Sequence, residues 1–292
     1  MEPTLSPSRA ADFLVCPLLY RFRTVDRLPE PPSAAAARGT LVHAVLERVF
    51  DLPADRRTPE EAARLVPVEW ERMLAEEPGL RQVVVDDPAG VGSAGETGPG
   101  LTRWHASAVR LVERWFTLED PRRLEPAGRE LYVEADLADL TVRGYVDRVD
   151  RAPDGRLRVV DYKTGRAPSP TFEGAALFQL RFYALALWRS TGVLPARLQL
   201  VYLGDGVLLW TDPTEHEILA TERKVRALWQ AIDLADRTGD WRPRPSRACS
   251  WCAHRALCPA WGGTPPPVPS AQGSAVVAST QVALELPGDR VP

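Results

Sequence analysis

The run from Gly144 to Gly165, GYVDRVDRAPDGRLRVVDYKTG, constrains what this chain can fold into more than any other stretch. β-Branched and apolar residues flank Ala152-Pro153-Asp154-Gly155, where proline presets one backbone angle and glycine accepts the unusual one, so the run predicts a β-hairpin. Side chains alternate along a strand, which puts Asp161 and Lys163 on the face shared by Leu157 and Val159. A turn centred on Asp154 sets Asp147 opposite Asp161, and directly opposed residues have Cβ atoms roughly 4.5–5.5 Å apart. Two like charges held that close are destabilising unless something cationic lies between them, a need that a hard divalent ion meets. Lys163 looks into the same site. A one-residue slip would undo this pairing, and solvent-facing charges on an amphipathic hairpin are the competing reading of any isolated Asp-x-Lys.

The rest of the chain surrounds that hairpin with helices. Ser6 can cap a helix that has Pro7 at its first position and runs through Phe13 and Leu14 to Cys16-Pro17. Arg38 to Phe50 has helical spacing, with His43 and Glu47 one turn apart on a side that could face the hairpin. Residues 52–85 read as one or two helices, and Asp86 to Gly100 as a glycine-rich flexible loop. Leu101, Trp104, Ala108, Leu111, Val112 and Trp115 mark an amphipathic helix to Leu118, its aromatics facing a core. A strand from Glu130 to Leu137 leads into the hairpin. Phe172 to Trp188 then reads as a helix with Gln179 and Tyr183 on one face. A second hairpin spans Ala196–Leu203 and Val207–Thr211, and a long helix runs from Glu215 to about Asp236. Residues 263–292 are rich in Pro, Gly, Ser and Val without a period and read as a disordered tail. This order predicts an α/β fold, a mixed sheet flanked by helices.

The order Gly-x-x-Asp, a turn, then Val-Val-Asp-Tyr-Lys-Thr-Gly resembles the core of the PD-(D/E)XK nuclease superfamily, in particular its RecB-like exonuclease branch. The resemblance implies a restriction-endonuclease-like core over residues 1–262, with 52–127 as a mainly helical insertion. It also implies Asp147 and Asp161 as metal ligands and catalytic groups, the Tyr162 backbone carbonyl as a further ligand, and Lys163 as the residue that activates or positions water. Gly39-Thr40-Leu41-Val42-His43 resembles the family's Gly-x-x-x-His motif, which makes His43 the ligand from the upstream helix. Gln179 and Tyr183 match the Gln-x-x-x-Tyr element that borders the active site and helps hold DNA. Glu130 resembles an acidic position upstream of the Gly-x-x-Asp strand. Arg148 and Arg166 flank the site and could contact phosphates. Carboxylate and carbonyl oxygens suit Mg²⁺, and the imidazole opens the site to Mn²⁺.

Cys16, Cys249, Cys252 and Cys258 are all the cysteines of the chain. Without a secretory pattern they point to a metal rather than to disulfides. Zinc is the chemical rival, with His254 inside the cluster, although zinc sites are usually built from two short-spaced pairs. The one-plus-three pattern with Pro259 after the last cysteine resembles the iron-sulfur staple of AddB-type and CRISPR-adaptation nucleases. That resemblance implies a 4Fe-4S cluster joining Cys16 to the region 239–262.

The expected function is a Mg²⁺- or Mn²⁺-dependent DNA exonuclease in recombination, repair or end processing. A CRISPR-adaptation nuclease and a non-catalytic DNA-end-binding module of a helicase-nuclease complex are the alternatives. A net charge of −3 leaves DNA a local basic patch rather than a global field. No Walker A string occurs, so unwinding would need a helicase partner. The absence of a long apolar run or signal-peptide pattern predicts a cytoplasmic protein without membrane contact.

Overall fold

The computed structural model describes residues 3–85 and 99–268. The expected glycine-rich loop falls, up to residue 98, outside the described residues, as does the tail from 269 onward.

β1 (Thr4–Leu5) leads into α1 (Pro7–Val15), capped by the Ser6 hydroxyl, which accepts the Arg9 N–H at 3.3 Å. α2 (Pro17–Tyr20) continues as a π-helical turn over Arg21–Val25. α3 (Ala34–Val49) begins four residues before its expected start, because Ser33 caps it and the alanines that follow favour helix. α4 (Pro59–Glu76), α5 (Leu80–Val85) and α6 (Pro99–Leu118) follow. β2 (Pro126–Leu137), β3 (Leu140–Arg151) and β4 (Leu157–Lys163) form a meander. Then come α7 (Glu173–Thr191), β5 (Arg197–Tyr202), β6 (Val207–Thr211) and α8 (Glu215–Thr238).

These strands make one six-stranded mixed sheet in the order β1-β3-β4-β5-β6, with β2 also paired to β3. β1 runs parallel to β3 and β4 parallel to β5; the other pairs are antiparallel. Alternation along β4 divides its side chains between two cores: Leu157 and Val159 pack with α1, α7 and α8, whereas Val160 and Tyr162 pack with α3 to α6. The sheet is therefore covered on both faces.

Residues 52–127, expected as an insertion, supply most of one of those covering layers. Trp104, Ala108, Val112 and Trp115 of α6 are all buried, and the Trp104 ring lies 4.7 Å from that of Trp70 in α4. Burying each large apolar side chain is worth about 1.5–3 kcal/mol. On the opposite face α7 is buried nearly all round, between the sheet and α8, which is why its sequence is apolar on every side. At the exit of β4 the chain crosses β5 so closely that a Cβ on Gly204 would lie 2.3 Å from the Gly165 carbonyl oxygen.

The two ends of the described chain meet on the α1 side. Trp241 stacks on Tyr20 at 5.8 Å, and the His254 ring lies 5.3 Å from Phe22 with its Nε2 2.9 Å from Glu30. Arg21 donates to the Pro266 carbonyl. No helix among the described residues is long and apolar enough to cross a membrane.

Candidate active site

β3 carries β2 along one edge from Leu140 to Asp150, but its other edge is divided. β1 pairs with Thr141 and Val142, β4 pairs with Arg148 to Arg151, and residues 143–147 between them have no strand on that side. The expected register is the one found: Arg148 faces Val160, Arg151 faces Leu157, and one further rung would set Asp147 opposite Asp161. The ladder ends one rung short of that pair, where β3 and β4 splay apart. The Tyr162 N–H then has no β3 backbone to meet, and it donates to Asp147 Oδ2 at 2.7 Å. A strand-to-strand bond has been replaced by a carboxylate at the mouth of the splay.

Two further groups converge there. His43, in the middle of α3, places Nδ1 3.4 Å from Asp147 Oδ2. Glu130 sits in β2 between the pairs Arg129–Arg148 and Leu131–Val146, which puts it across from Asp147. One ligand atom each from His43, Glu130 and Asp147 lie within 4.8 Å of one another. Glu130 has a φ of +42°, a left-handed conformation that a glutamate adopts only when its surroundings enforce it. In sequence Glu130 carried only a resemblance to an upstream acidic position. The register across the β2–β3 turn is the signal that ties it to Asp147.

Asp161 is buried and hydrogen-bonded on the α7 side of β4. Its Oδ2 lies 2.7 Å from Lys163 Nζ, and its Oδ1 accepts from Gln179 Nε2 at 2.9 Å. Gln179 Oε1 accepts from Lys163 Nζ at 2.8 Å, and Gln179 Nε2 also reaches the Tyr183 hydroxyl at 3.1 Å. One amide thus spans the acid and the base, with its oxygen toward the ammonium and its nitrogen toward the carboxylate. Tyr183 is buried against Gly144: a Cβ there would stand 2.8 Å from the tyrosine Cε1. The first glycine of the Gly-x-x-Asp string therefore makes room for the Gln-x-x-x-Tyr helix.

The electrostatics follow from this crowding of acids. Burial, and then the Asp147 charge, push the Asp161 carboxyl above its ordinary value, with Lys163 opposing. Desolvation and Asp147 push Glu130 up to about 7. Burial would depress His43, but Asp147, Asp161 and Glu130 together hold its imidazole above the ordinary value. The two carboxylates of Glu130 and Asp147 and the His43 imidazole are a donor set that fits a hard divalent cation, whereas the Asp161 carboxylate, expected as a ligand, lies outside that group, on Lys163 and Gln179. Tyr162 turns its ring to the other face, 6.0 Å from His43 and 6.1 Å from Trp115, with its backbone at the splay.

Arg148, expected to reach phosphates, does not. It is 1 % exposed and lies at the centre of a buried network, with Glu119 at 2.8 Å, Asp150 at 2.9 Å and the Tyr162 hydroxyl. Val146 and Val149 both pack on the side of α1, α7 and α8, so alternation slips between them, after Asp147, and Arg148 turns to the α3–α6 side over Phe50 and Tyr162. Arg166 is exposed just beyond β4.

The four cysteines are free thiols, and three backbone N–H groups point at them. Arg244 donates to Cys16 Sγ and Ser246 to Cys249 Sγ, each at 3.3 Å, and the His254 backbone donates to Cys252. Burial raises the Cys252 thiol above its ordinary value, and the nearby Cys16, Cys249 and Cys258 raise it further, so the thiol from the N-terminal segment is a neighbour of the C-terminal three. His254, a possible zinc ligand, has Nε2 on Glu30 instead. Among the described residues no three of these thiols lie within 4.8 Å of one another.

A model of the PD-(D/E)XK nuclease superfamily matches residues 4–259. The Gene 69 protein of Mycobacterium phage D29 is 31 % identical over 218 residues, covering 65 % of this chain and 71 % of the phage protein. The Gene 69 protein of Mycobacterium phage L5 is 23 % identical over 287 residues, covering 88 % and 96 %. Among solved structures, a candidate exonuclease from Eubacterium rectale superposes with a TM-score of 0.51 at 13 % identity, covering 87 % of this chain and 88 % of that one. At that identity the likeness is one of fold.

Proposed function

The chain belongs to the PD-(D/E)XK nuclease superfamily, and from that premise we propose that it is a metal-dependent deoxyribonuclease acting at DNA ends, in recombination, repair or end processing. The observation that carries this reading is the end of the β3–β4 ladder, where Asp147 gathers His43 and Glu130 around it and Asp161 on the neighbouring strand is paired with Lys163.

In this reading His43, Asp147, Asp161 and the Tyr162 carbonyl, joined by Glu130, hold Mg²⁺ or Mn²⁺. The ion supplies a Lewis acid for the phosphoryl oxygen and a water acidic enough to act as nucleophile at neutral pH. Lys163 holds that water or the negative charge that develops as the phosphorus–oxygen bond breaks. Gln179 is a positioning residue: it fixes the Asp161 carboxylate and the Lys163 ammonium relative to each other, and Tyr183 fixes Gln179. His43 keeps Asp147 oriented through its Nδ1.

Digestion of end-labelled DNA tests the reading. Wild-type protein should cut with Mg²⁺ or Mn²⁺ and stop with EDTA, and Lys163→Met should lose about 100-fold or more in rate while still unfolding in one cooperative transition. Undiminished cutting by Lys163→Met would reject the assignment.

A second cofactor belongs to the same proposal. Cys16, Cys249, Cys252 and Cys258 hold a 4Fe-4S cluster, a reading supported by the one-plus-three spacing of the cysteines and by N–H groups directed at sulfur. Protein purified without oxygen should contain iron and acid-labile sulfide in equal amounts. Zinc in their place would overturn this assignment and leave the nuclease reading untouched.

A further inference from the structure

We propose that Tyr145, backed by Tyr132, is a stacking platform that receives an unpaired base next to the carboxylates, so that the site takes a single-stranded nucleic-acid end rather than a blunt duplex. This inference rests on the nuclease reading and specifies its substrate.

The sheet itself makes the juxtaposition. Along the β2–β3 hairpin three cross-strand pairs follow one another on one face: Glu130 across from Asp147, then Tyr132 with Tyr145, then Glu134 with Arg143. Two residues along a strand span roughly 6.4–6.8 Å. The tyrosine pair is thus one nucleotide step from the candidate metal ligands.

Its two rings have different surroundings. Tyr132 is anchored, its hydroxyl bonded to Glu134 and close to Arg143. Tyr145 leans on Tyr132, with ring centroids 5.2 Å apart and ring planes tilted by 55°, and is 55 % exposed. An exposed aromatic ring braced by an anchored neighbour is what a base needs in order to stack at reduced ordering cost.

The setting favours nucleic acid over a protein partner. Both tyrosines line a cleft of about 660 Å³ that passes the open edge of β3 and reaches Lys163 and Gln179. The charged residues lining it are Arg9, Arg143 and Lys163, all cationic, in a chain whose net charge is −3. Cations that track a backbone beside an aromatic that takes a base are the recognised means of holding a single strand. A duplex keeps its base faces within its own stack except at the terminal pair, whose bases stay paired and cannot be drawn singly onto Tyr145.

Fluorescence anisotropy with EDTA present, so that no strand is cut, tests the platform on the full chain. The probes are labelled oligothymidylate and a blunt hairpin duplex. Wild-type protein should bind the oligothymidylate more tightly than the duplex. Tyr145→Ala should weaken single-strand binding by about 5- to 100-fold, while Tyr145→Phe retains it. A single abasic nucleotide near the end should reproduce that loss in wild type and add nothing in Tyr145→Ala. Wild-type affinity in Tyr145→Ala, or equal binding of the blunt duplex, would overturn the platform. If DNA is digested while those differences are absent, the platform alone fails. If they are present and no metal supports cutting, the nuclease reading alone fails.

Discussion

Asp161 is buried at a cost that two neighbours offset in different ways: Lys163 supplies the countercharge, and Gln179 supplies a hydrogen bond that also fixes the geometry. Removing the second without the first separates these contributions. Gln179→Leu should keep the fold and lower the rate of DNA digestion by about 10- to 100-fold, the usual consequence of losing a group that orients a metal ligand; an unchanged rate would show that Lys163 alone suffices. Gly144 makes a complementary prediction. Gly144→Ala forces a Cβ to within 2.8 Å of the Tyr183 ring and should cost about 1–3 kcal/mol in denaturant unfolding. The cost should shrink in a Tyr183→Leu background, since the clash has one partner. In sequence, Gln179 and Tyr183 were legible as residues on one helix face. The atoms they would bond were not, because the contact joins α7 to β4 across a distance that only packing settles.

At the scale of elements, the hairpin's register could be read from its turn, and its ending could not. Alternation and the turn at Asp154 place Asp147 against Asp161, yet the departure of β3 from β4 one rung earlier comes from what each strand joins next: β1 on one, β5 on the other. The same crossing of elements explains Arg148. It ties β3 to Glu119 at the end of α6, while Arg158 of β4 bonds Asp150 at 2.8 Å and Gln199 of β5 bonds Glu119 at 3.1 Å. Burial alone would raise the Glu119 carboxyl, but Arg148, joined by Trp115 and Arg158, holds the group below its ordinary value of 4.5. A depressed carboxylate contributes stability that is complete above the unfolded value and is lost as pH falls through the folded one. Glu119→Gln should therefore cost about 3–5 kcal/mol near neutral pH and leave a shallower loss of stability in acid. An acid-unfolding curve that keeps the wild-type slope would contradict this.

Over the whole molecule, the α/β class and the helix-flanked mixed sheet were legible from the order of periodic segments. The position of residues 52–127 was not, since their amphipathic faces do not say which side of which sheet they cover. They build the layer in which α3 is embedded, and α3 carries His43 to the splay. The ends of the described chain are joined on the opposite side through Trp241 on Tyr20 and Arg21 on Pro266, so Cys16→Ser should lower the melting temperature and remove bound iron without unfolding the sheet. Complete unfolding of Cys16→Ser would show instead that the cysteines hold the core together. The whole fold thus brings α3, β2 and β3 to a single point, where His43, Glu130 and Asp147 meet, with Asp161 of β4 held beside it by Lys163 and Gln179. The most direct measurement is Mn²⁺ binding, read from loss of the free-ion electron paramagnetic resonance signal, for wild type and Asp147→Asn. Wild type should bind Mn²⁺ and cut DNA, and Asp147→Asn should lose both while melting cooperatively. Wild-type Mn²⁺ affinity and DNA digestion in Asp147→Asn would contradict the account.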